Sequence, residues 1–244
     1  MVMELKKTYI QTFKLTDTDC DMNHMILPGA LLRMVQQVAT AHCDVNGMDQ
    51  AFYERNKVVF LLAKMAFQWQ RVPMCGEELT LTTMPETARR VSYKRITKVT
   101  DAKGEEVGIV DSRWVLVDME SHRIIRRPPA AFEALPFADD VPFELDMTIH
   151  KPAELEEAGE SKAAFTYCDT NHHLNNTRYA DIVCDTLPLE QMRSKPVRGM
   201  IISYHNEVPA GEKFALQRAE EEDGSWYVAG IRNDKHCFEA KVMF

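Results

Sequence analysis

The segment Asp169-Thr170-Asn171-His172-His173 places a carboxylate, an amide and an imidazole at alternate positions, and Leu174-Asn175-Asn176-Thr177-Arg178-Tyr179 follows directly. In a locally extended stretch alternate side chains share a face, so the spacing predicts that Asp169, Asn171 and His173 look the same way. The apolar positions Tyr179, Ile182, Val183 and Leu187 predict a helix just beyond them. A helix entrance offers unpaired backbone N–H groups and a partial positive charge, which suit a carbonyl oxygen that is gaining negative charge. Acyl transfer is the chemistry that such a set could perform. The competing reading is that Asp and Asn residues fill turns and cap the helix while the two histidines are merely exposed.

The elements that must position this set occur twice. Asp21-Met22-Asn23-His24 repeats Asp169-Thr170-Asn171-His172 at a separation of 148, and a cysteine precedes each copy, Cys20 and Cys168. The first copy leads into the stripe Leu31, Leu32, Val35, Val38, Ala39 and His42, the spacing of one apolar helix face. Val72-Pro73-Met74-Cys75-Gly76-Glu77 is matched by Val208-Pro209-Ala210-Gly211-Glu212 with one residue dropped, and each follows a strand-like run. Further strand signals are EELTLTTM, RVSYKRITKV and EVGIVDSRWVLVD in the first half, and KFALQRAEEE, WYVAGIR and CFEAKVMF in the second. Each half thus reads as a strand, a helix and several antiparallel strands, an α+β arrangement expected to join two sheets back to back. We divide the chain into a first unit, 1–128, a proline-bearing linker, 129–146, and a second unit, 147–244. Phe132, Leu135, Phe137 and Phe143 are expected to pack the linker down onto a unit.

Composition narrows the function classes. The chain has 244 residues, 45% hydrophobic and 27% charged, with no apolar run long enough to span a bilayer and no signal-peptide pattern at its start. Its six cysteines lack the spacing of zinc sites and read as free thiols, so a cytoplasmic location is expected. A net charge of −8 argues against nucleic acid as a partner.

DTNHHLNNTRY resembles the D-x-N-x-H-x-x-N-N-x-x-Y signature of the acyl-[acyl-carrier-protein] thioesterases. Ser112-Arg113-Trp114, with Asp118 and Arg123, is similar to a strand motif in the family's first half, and Tyr204-His205-Asn206-Glu207 is similar to its Y-x-x-E strand. The resemblance covers both halves in order. It implies a double hotdog fold, two tandem hotdog units each with a long helix wrapped by an antiparallel sheet, and hydrolysis of a fatty acyl thioester on acyl carrier protein without a cofactor or metal. Where the family often carries Cys after the Glu, this chain has Val208, which excludes a thiolate nucleophile there. Alternation turns Cys168 away from Asp169 and Asn171.

On this reading Asp169, Asn171, His173 and Glu207 act on a water molecule. Either Glu207 or His173 serves as base, and Asn171 donates to the carbonyl or fixes the water. Asp169 orients Asn171 or the loop amides, and the N–H groups from Thr177 to Tyr179 form the oxyanion site. Asn175, Asn176 and Tyr179 are the further substrate-binding candidates of the signature. The first copy has Met25 in place of a second histidine and suits an acyl tunnel, with Met25, Leu31, Met34, Val35, Phe67 and Trp69 as candidate walls. Arg89-Arg90, Lys94-Arg95 and Arg123 with Arg126-Arg127 are the dense basic groups, and of these Arg89, Arg90, Arg123, Arg126 and Arg127 are expected to meet an acidic carrier protein. A homodimer is compatible with the sequence.

Other readings stay open. Asp169, His172, His173 and His205 could be taken for a metal set, but adjacent histidines in a strand point to opposite faces. The hotdog fold also serves acyl-CoA thioesterases and dehydratases, and an acyl-binding module without activity would share its features.

Overall fold

The computed structural model describes residues 5–133, 135–138, 141 and 143–244. Residues 1–4 of the expected first unit, and Ala134, Asp139, Asp140 and Pro142 of the expected linker, lie outside the described residues. The first half runs β1 (Tyr9–Lys14), α1 (Pro28–Val45), α2 (Gln50–Asn56), β2 (Val58–Trp69), β3 (Glu78–Pro85), β4 (Ser92–Asp101) and β5 (Glu106–Asp118). The second runs β6 (Glu156–Lys162), α3 (Arg178–Thr186), α4 (Leu189–Ser194), β7 (Gly199–Tyr204), β8 (Lys213–Glu220), β9 (Trp226–Arg232) and β10 (Lys235–Met243).

These strands form one sheet in the order β1-β3-β4-β5-β2-β7-β10-β9-β8-β6, in which each half is a copy of the other about the β2–β7 seam. The expected back-to-back packing of two sheets is therefore corrected to an edge-to-edge junction. Antiparallel pairs from Lys64↔Ser203 to Gln68↔Gly199 join the halves. Without the seam β2 and β7 would each expose a row of unpaired backbone groups, and pairing them removes both edges.

Pro28 opens α1 at a position where its missing N–H costs nothing, and Leu31, Leu32, Val35 and Val38 are at most 2% exposed against the sheet. Burial of four such side chains contributes roughly 1.5–3 kcal/mol each. The second unit departs from the long-helix expectation: α3 has 9 residues where α1 has 18. Pro188 disfavours the helical conformation at Leu187, which takes φ −79° and ψ 156°. The two helices cross at Gly29, where an added Cβ would lie 1.7 Å from Asp181 Oδ1, and Arg33 Nη1 pairs with Asp181 Oδ2 at 2.7 Å. This is the double hotdog architecture.

From Val141 onward the linker follows the outer face of the sheet as a strap, while Phe132 and Phe137 lie on the helix face, the side of β4 that carries Tyr93 and Arg95. Phe132 packs with Phe52 and Phe60, Phe137 against Tyr93, and Val141 with Ile96 and Ile109. From Phe143 to Ile149 alternate residues turn inward, half-buried, while those between are exposed. Lys94 fastens the strap: Nζ donates to the carbonyls of Val141 at 3.1 Å and Phe143 at 3.0 Å and pairs with buried Glu86 at 2.8 Å. Glu86 accepts in turn from the Val141 N–H. Lys94, expected in a basic surface pair, is thus a buried anchor, because the strap covers the face of β4 that would otherwise meet water.

Candidate active site

The residues Cys168 to Leu174 form a tight turn rather than an extended segment. Cys168 and Leu174 face each other in a bridge, the Asp169 N–H donates to the His173 carbonyl at 3.1 Å and the His172 N–H donates to the Asp169 carbonyl at 3.0 Å. His172 sits at φ 65°, a left-handed position that this turn requires. The first copy reproduces the device, with a Cys20–Ile26 bridge and His24 at φ 59°. The short polar repeat is thus a turn whose geometry the Asp carboxylate holds: Asp169 Oδ1 accepts from the Asn171 N–H at 2.9 Å, and Asp21 Oδ1 accepts from Asn23 at 2.8 Å.

The consequence for the candidate residues is a changed face. Asp169 and His173 approach each other across the turn, His173 Nδ1 to Asp169 Oδ1 at 3.8 Å, while Asn171 projects from its exposed tip. On its other side His173 Nε2 lies 3.4 Å from Glu207 Oε1. Glu207 is in the turn after β7, not in the strand where the sequence suggested it. That turn is held against the Cys168–Leu174 turn by the Leu174 N–H to the Val208 carbonyl at 2.9 Å and the Ala210 N–H to the His172 carbonyl at 2.9 Å. The imidazole therefore stands between two carboxylates. The side-chain amide of Asn171 has no hydrogen-bond partner among the described residues.

Several residues expected at the substrate belong to the frame of the loop. The Asn175 side chain accepts from the Thr177 N–H at 3.0 Å and donates to Asp169 Oδ2 at 3.4 Å. The Arg178 N–H donates to the Asn175 carbonyl at 2.9 Å. The N–H groups of Thr177 and Arg178, two of the three expected oxyanion donors, are thus already engaged. The Asn176 carbonyl accepts from Tyr204 Oη at 3.0 Å, and Tyr179 is 3% exposed, packed edge-on against Tyr204 and Phe238. Burial raises the Tyr179 and Tyr204 hydroxyls above the usual phenol range, so both stay neutral. Val208 is fully buried, and Cys168 donates its thiol to the Ala164 carbonyl at 3.3 Å, away from His173.

A cavity of about 600 Å³ opens between α1, α2, β2 and β4, and Thr170 and Asn171 are the second half's contributions to its wall among the described residues. The walls expected from the apolar pattern lie elsewhere. Leu31, Met34, Val35, Phe67 and Trp69 are buried in the main core, and Met25 is half-buried beside Met74. The cavity is walled instead by the C-terminal half of α1 with Ala39 and His42, by Tyr53 and Phe60, and by Tyr93, Arg95 and Trp114. Trp114 gives the Ser112-Arg113-Trp114 motif a structural meaning: Nε1 donates to Ser112 Oγ at 2.9 Å, and Arg113 pairs with Asp111 at 2.8 Å beneath the strap. Alternation along β4 could have pointed to Arg95, because Lys94 faces the strap and the next residue must face the helix. Arg89, Arg90, Arg123, Arg126 and Arg127 are exposed. A second groove of about 570 Å³, between α1 at Arg33, Gln37 and Thr40 and the loop at Tyr167 and Arg178, adjoins the cavity at Gln36 and Asp44.

Sequence profiles of the acyl-ACP thioesterase N-terminal and C-terminal domains match residues 6–134 and 150–243. The chain belongs to the acyl-ACP thioesterase family. A chloroplastic acyl-[acyl-carrier-protein] hydrolase of Cuphea viscosissima is 21% identical over 214 residues, covering 82% of this chain and 52% of the relative. The chloroplastic oleoyl-acyl carrier protein thioesterase 2 of Arabidopsis thaliana is 20% identical, over 84% of this chain and 61% of its own length. The chain thus spans about half to three fifths of these curated relatives. Among solved structures, an acyl-ACP thioesterase from Bacteroides thetaiotaomicron superposes with a TM-score of 0.83 at 20% identity, covering 98% of both chains. The 12:0-ACP thioesterase of Umbellularia californica gives 0.85 at 15% identity, covering 97% of this chain and 96% of that one. At these identities the superpositions establish the family's fold for this chain, and no helix among the described residues is long and apolar enough to cross a membrane.

Proposed function

We propose that this acyl-ACP thioesterase family member hydrolyses fatty acyl thioesters of acyl carrier protein by attack of an activated water. The observation that carries the reading is His173 held between Asp169 and Glu207, 3.8 Å and 3.4 Å away, two residues from an Asn171 amide that reaches the 600 Å³ cavity. The acyl chain lies in the first half's cavity, with its carbonyl at Asn171. Glu207 and His173 together accept the proton of a water molecule, whose oxygen bonds to the carbonyl carbon. Asn171 donates its free N–H to the oxyanion that forms. The tetrahedral adduct collapses with cleavage of the C–S bond, and the proton held by the pair passes to the departing thiolate. Fatty acid and carrier thiol leave, and the site returns to its starting charge.

The carrier's arm enters along the groove beside Tyr167 and Arg178, whose guanidinium carbon lies 5.2 Å over the Tyr167 ring. The exposed Arg89, Arg90, Arg123, Arg126 and Arg127 supply local positive potential for an acidic carrier despite the net charge of −8. Six free thiols support a reducing, cytoplasmic setting. The site draws all its residues from one chain, so the reading needs no second copy, and sedimentation decides whether a homodimer forms.

The test is thiol release from acyl-carrier-protein thioesters of graded length, compared with the corresponding acyl-CoA and 3-hydroxyacyl substrates. Faster hydrolysis of the carrier-bound thioester supports the reading. Preference for acyl-CoA reassigns the carrier, loss of water from the 3-hydroxyacyl substrate reassigns the reaction, and binding without turnover of any substrate leaves an acyl-binding module.

A further inference from the structure

A cavity that receives a plain hydrocarbon chain should have apolar walls, yet this one contains a guanidinium. Arg95 Nη1 donates to His42 Nδ1 at 3.1 Å and to Thr83 Oγ1 at 3.2 Å, and Nη2 reaches Cys43 Sγ at 3.8 Å. All three partners are neutral groups. His42 is fixed in one tautomer because its Nε2 donates to the Lys6 carbonyl at 2.7 Å, leaving Nδ1 to accept from Arg95. Thr83 is fully buried and also receives the Thr97 hydroxyl at 3.0 Å, so it has no further lone pair to spare for a second guanidinium bond. Asp44 and Glu54, the carboxylates in the cavity wall, are exposed, and neither comes within ion-pair distance of Arg95.

An arginine carries five donors, and a charge taken out of water is normally compensated by a carboxylate or by a full set of acceptors. Among the described residues Arg95 has three acceptors, one of them a thiol, and no anion. Arg95 is half-buried, with its remaining surface on the cavity, and this partial loss of hydration lowers the proton affinity of its guanidinium. Its neighbour Lys94, on the other face of the same strand, is by contrast fully supplied by Glu86 and two carbonyls. The unsatisfied donors of Arg95 open into the cavity that Asn171 joins.

We infer that the preferred acyl chain bears an oxygen function, a hydroxyl, keto or carboxyl group away from the thioester, and that Arg95 is the specificity-determining residue that binds it. The inference rests on the thioesterase reading above. An oxygen acceptor would complete the guanidinium's hydrogen bonds, whereas a saturated chain would cover them and leave them unmade. Leaving buried donors unpaired is the kind of mismatch that sites use to reject an analogue.

The experiment uses acyl-carrier-protein thioesters of one chain length: saturated, hydroxylated, keto-substituted and ending in a carboxylate. The wild type is expected to favour at least one oxygenated chain over the saturated one by tenfold or more in kcat/KM, and the favoured arm identifies the oxygen function. Arg95→Met should reduce that ratio to about one, chiefly by improving the saturated substrate. A wild type that hydrolyses the saturated chain best overturns the inference, and so does a ratio that Arg95→Met leaves unchanged. Calorimetric binding of the free oxygenated and saturated acids separates this result from failure of the parent reading. Selective binding of the oxygenated acid without hydrolysis of any thioester keeps the Arg95 assignment and removes the hydrolase. Equal binding of both acids overturns the inference. Because the wild-type preference is measured independently, the test stands even if Arg95→Met does not fold.

Discussion

The position of His173 between two carboxylates predicts that Glu207 and His173 act as one unit, and this can be measured. Glu207→Gln keeps an acceptor of the same shape 3.4 Å from Nε2 but removes the charge, and His173→Ala removes the link to Asp169 as well. General-base assistance is worth roughly 10²–10⁴-fold, so each single variant should lose that factor in kcat, about 2.7–5.4 kcal/mol of barrier. Side chains that are 22% exposed at His173 and 46% at Glu207 hold little of the fold together, so the melting temperature should shift by only a few degrees. The double variant decides the matter. If the pair accepts one proton in common, combining the changes costs no more than about tenfold beyond the worse single variant, whereas independent groups would multiply their losses to roughly 10⁴–10⁸-fold. Thiol release under saturating acyl carrier protein substrate, with folding checked by thermal melting, is the assay. Near-normal turnover in either single variant refutes the assignment of that residue, and multiplicative losses refute the shared proton.

Three further outcomes follow from the packing. Lys94→Met should strand the Glu86 carboxylate under the strap and cost about 3–5 kcal/mol in urea unfolding, while adding Glu86→Gln should recover most of it; equal losses in both proteins would show that the strap does not depend on this charge pair. Gly29→Ala should destabilise by roughly 1–3 kcal/mol because its methyl meets Asp181, and the loss should shrink when Asp181→Ala is added; additive losses in urea would place the strain elsewhere. Burial, reinforced by the nearby Arg95 and opposed by the bond to Lys6, holds His42 below the ordinary imidazole value. The unfolded chain therefore binds a proton near pH 6.5 that the folded chain refuses, and stability falls as the pH drops below that value, by at most about 1.4 kcal/mol per unit for this one site. Melting at pH 7.5 and 5.5 should show a shallower loss for His42→Asn than for the wild type, and identical slopes would exclude this histidine as the cause.

The sequence alone determined the repeat, the family and most of the elements. WYVAGIR and EVGIVDSRWVLVD coincide with β9 and β5, because alternation and β-branched residues at those positions leave little competition. It also determined that the second copy carries the polar set and that no cysteine stands at Val208. It did not determine how that set is folded. Alternation assumed an extended backbone, but the Asp169 carboxylate accepts from the Asn171 backbone N–H and closes a turn, so His173 meets Asp169 across the turn rather than along a strand.

Only the tertiary structure decided which side chains face the cavity. Phe67 and Trp69 are as apolar as any wall residue, but their end of β2 lies at the seam between the halves, which packs them into the common core. Lys94 and Arg95 are adjacent cations in sequence, and both read there as surface. Their strand is covered on both faces, by the strap on one and by α1 on the other, so a one-residue step separates a buried anchor from the guanidinium in the cavity. A local pattern can state which residues share a side of a strand. What covers that side depends on segments more than forty residues away, and here those distant segments assigned Lys94 to the strap and Arg95 to the cavity.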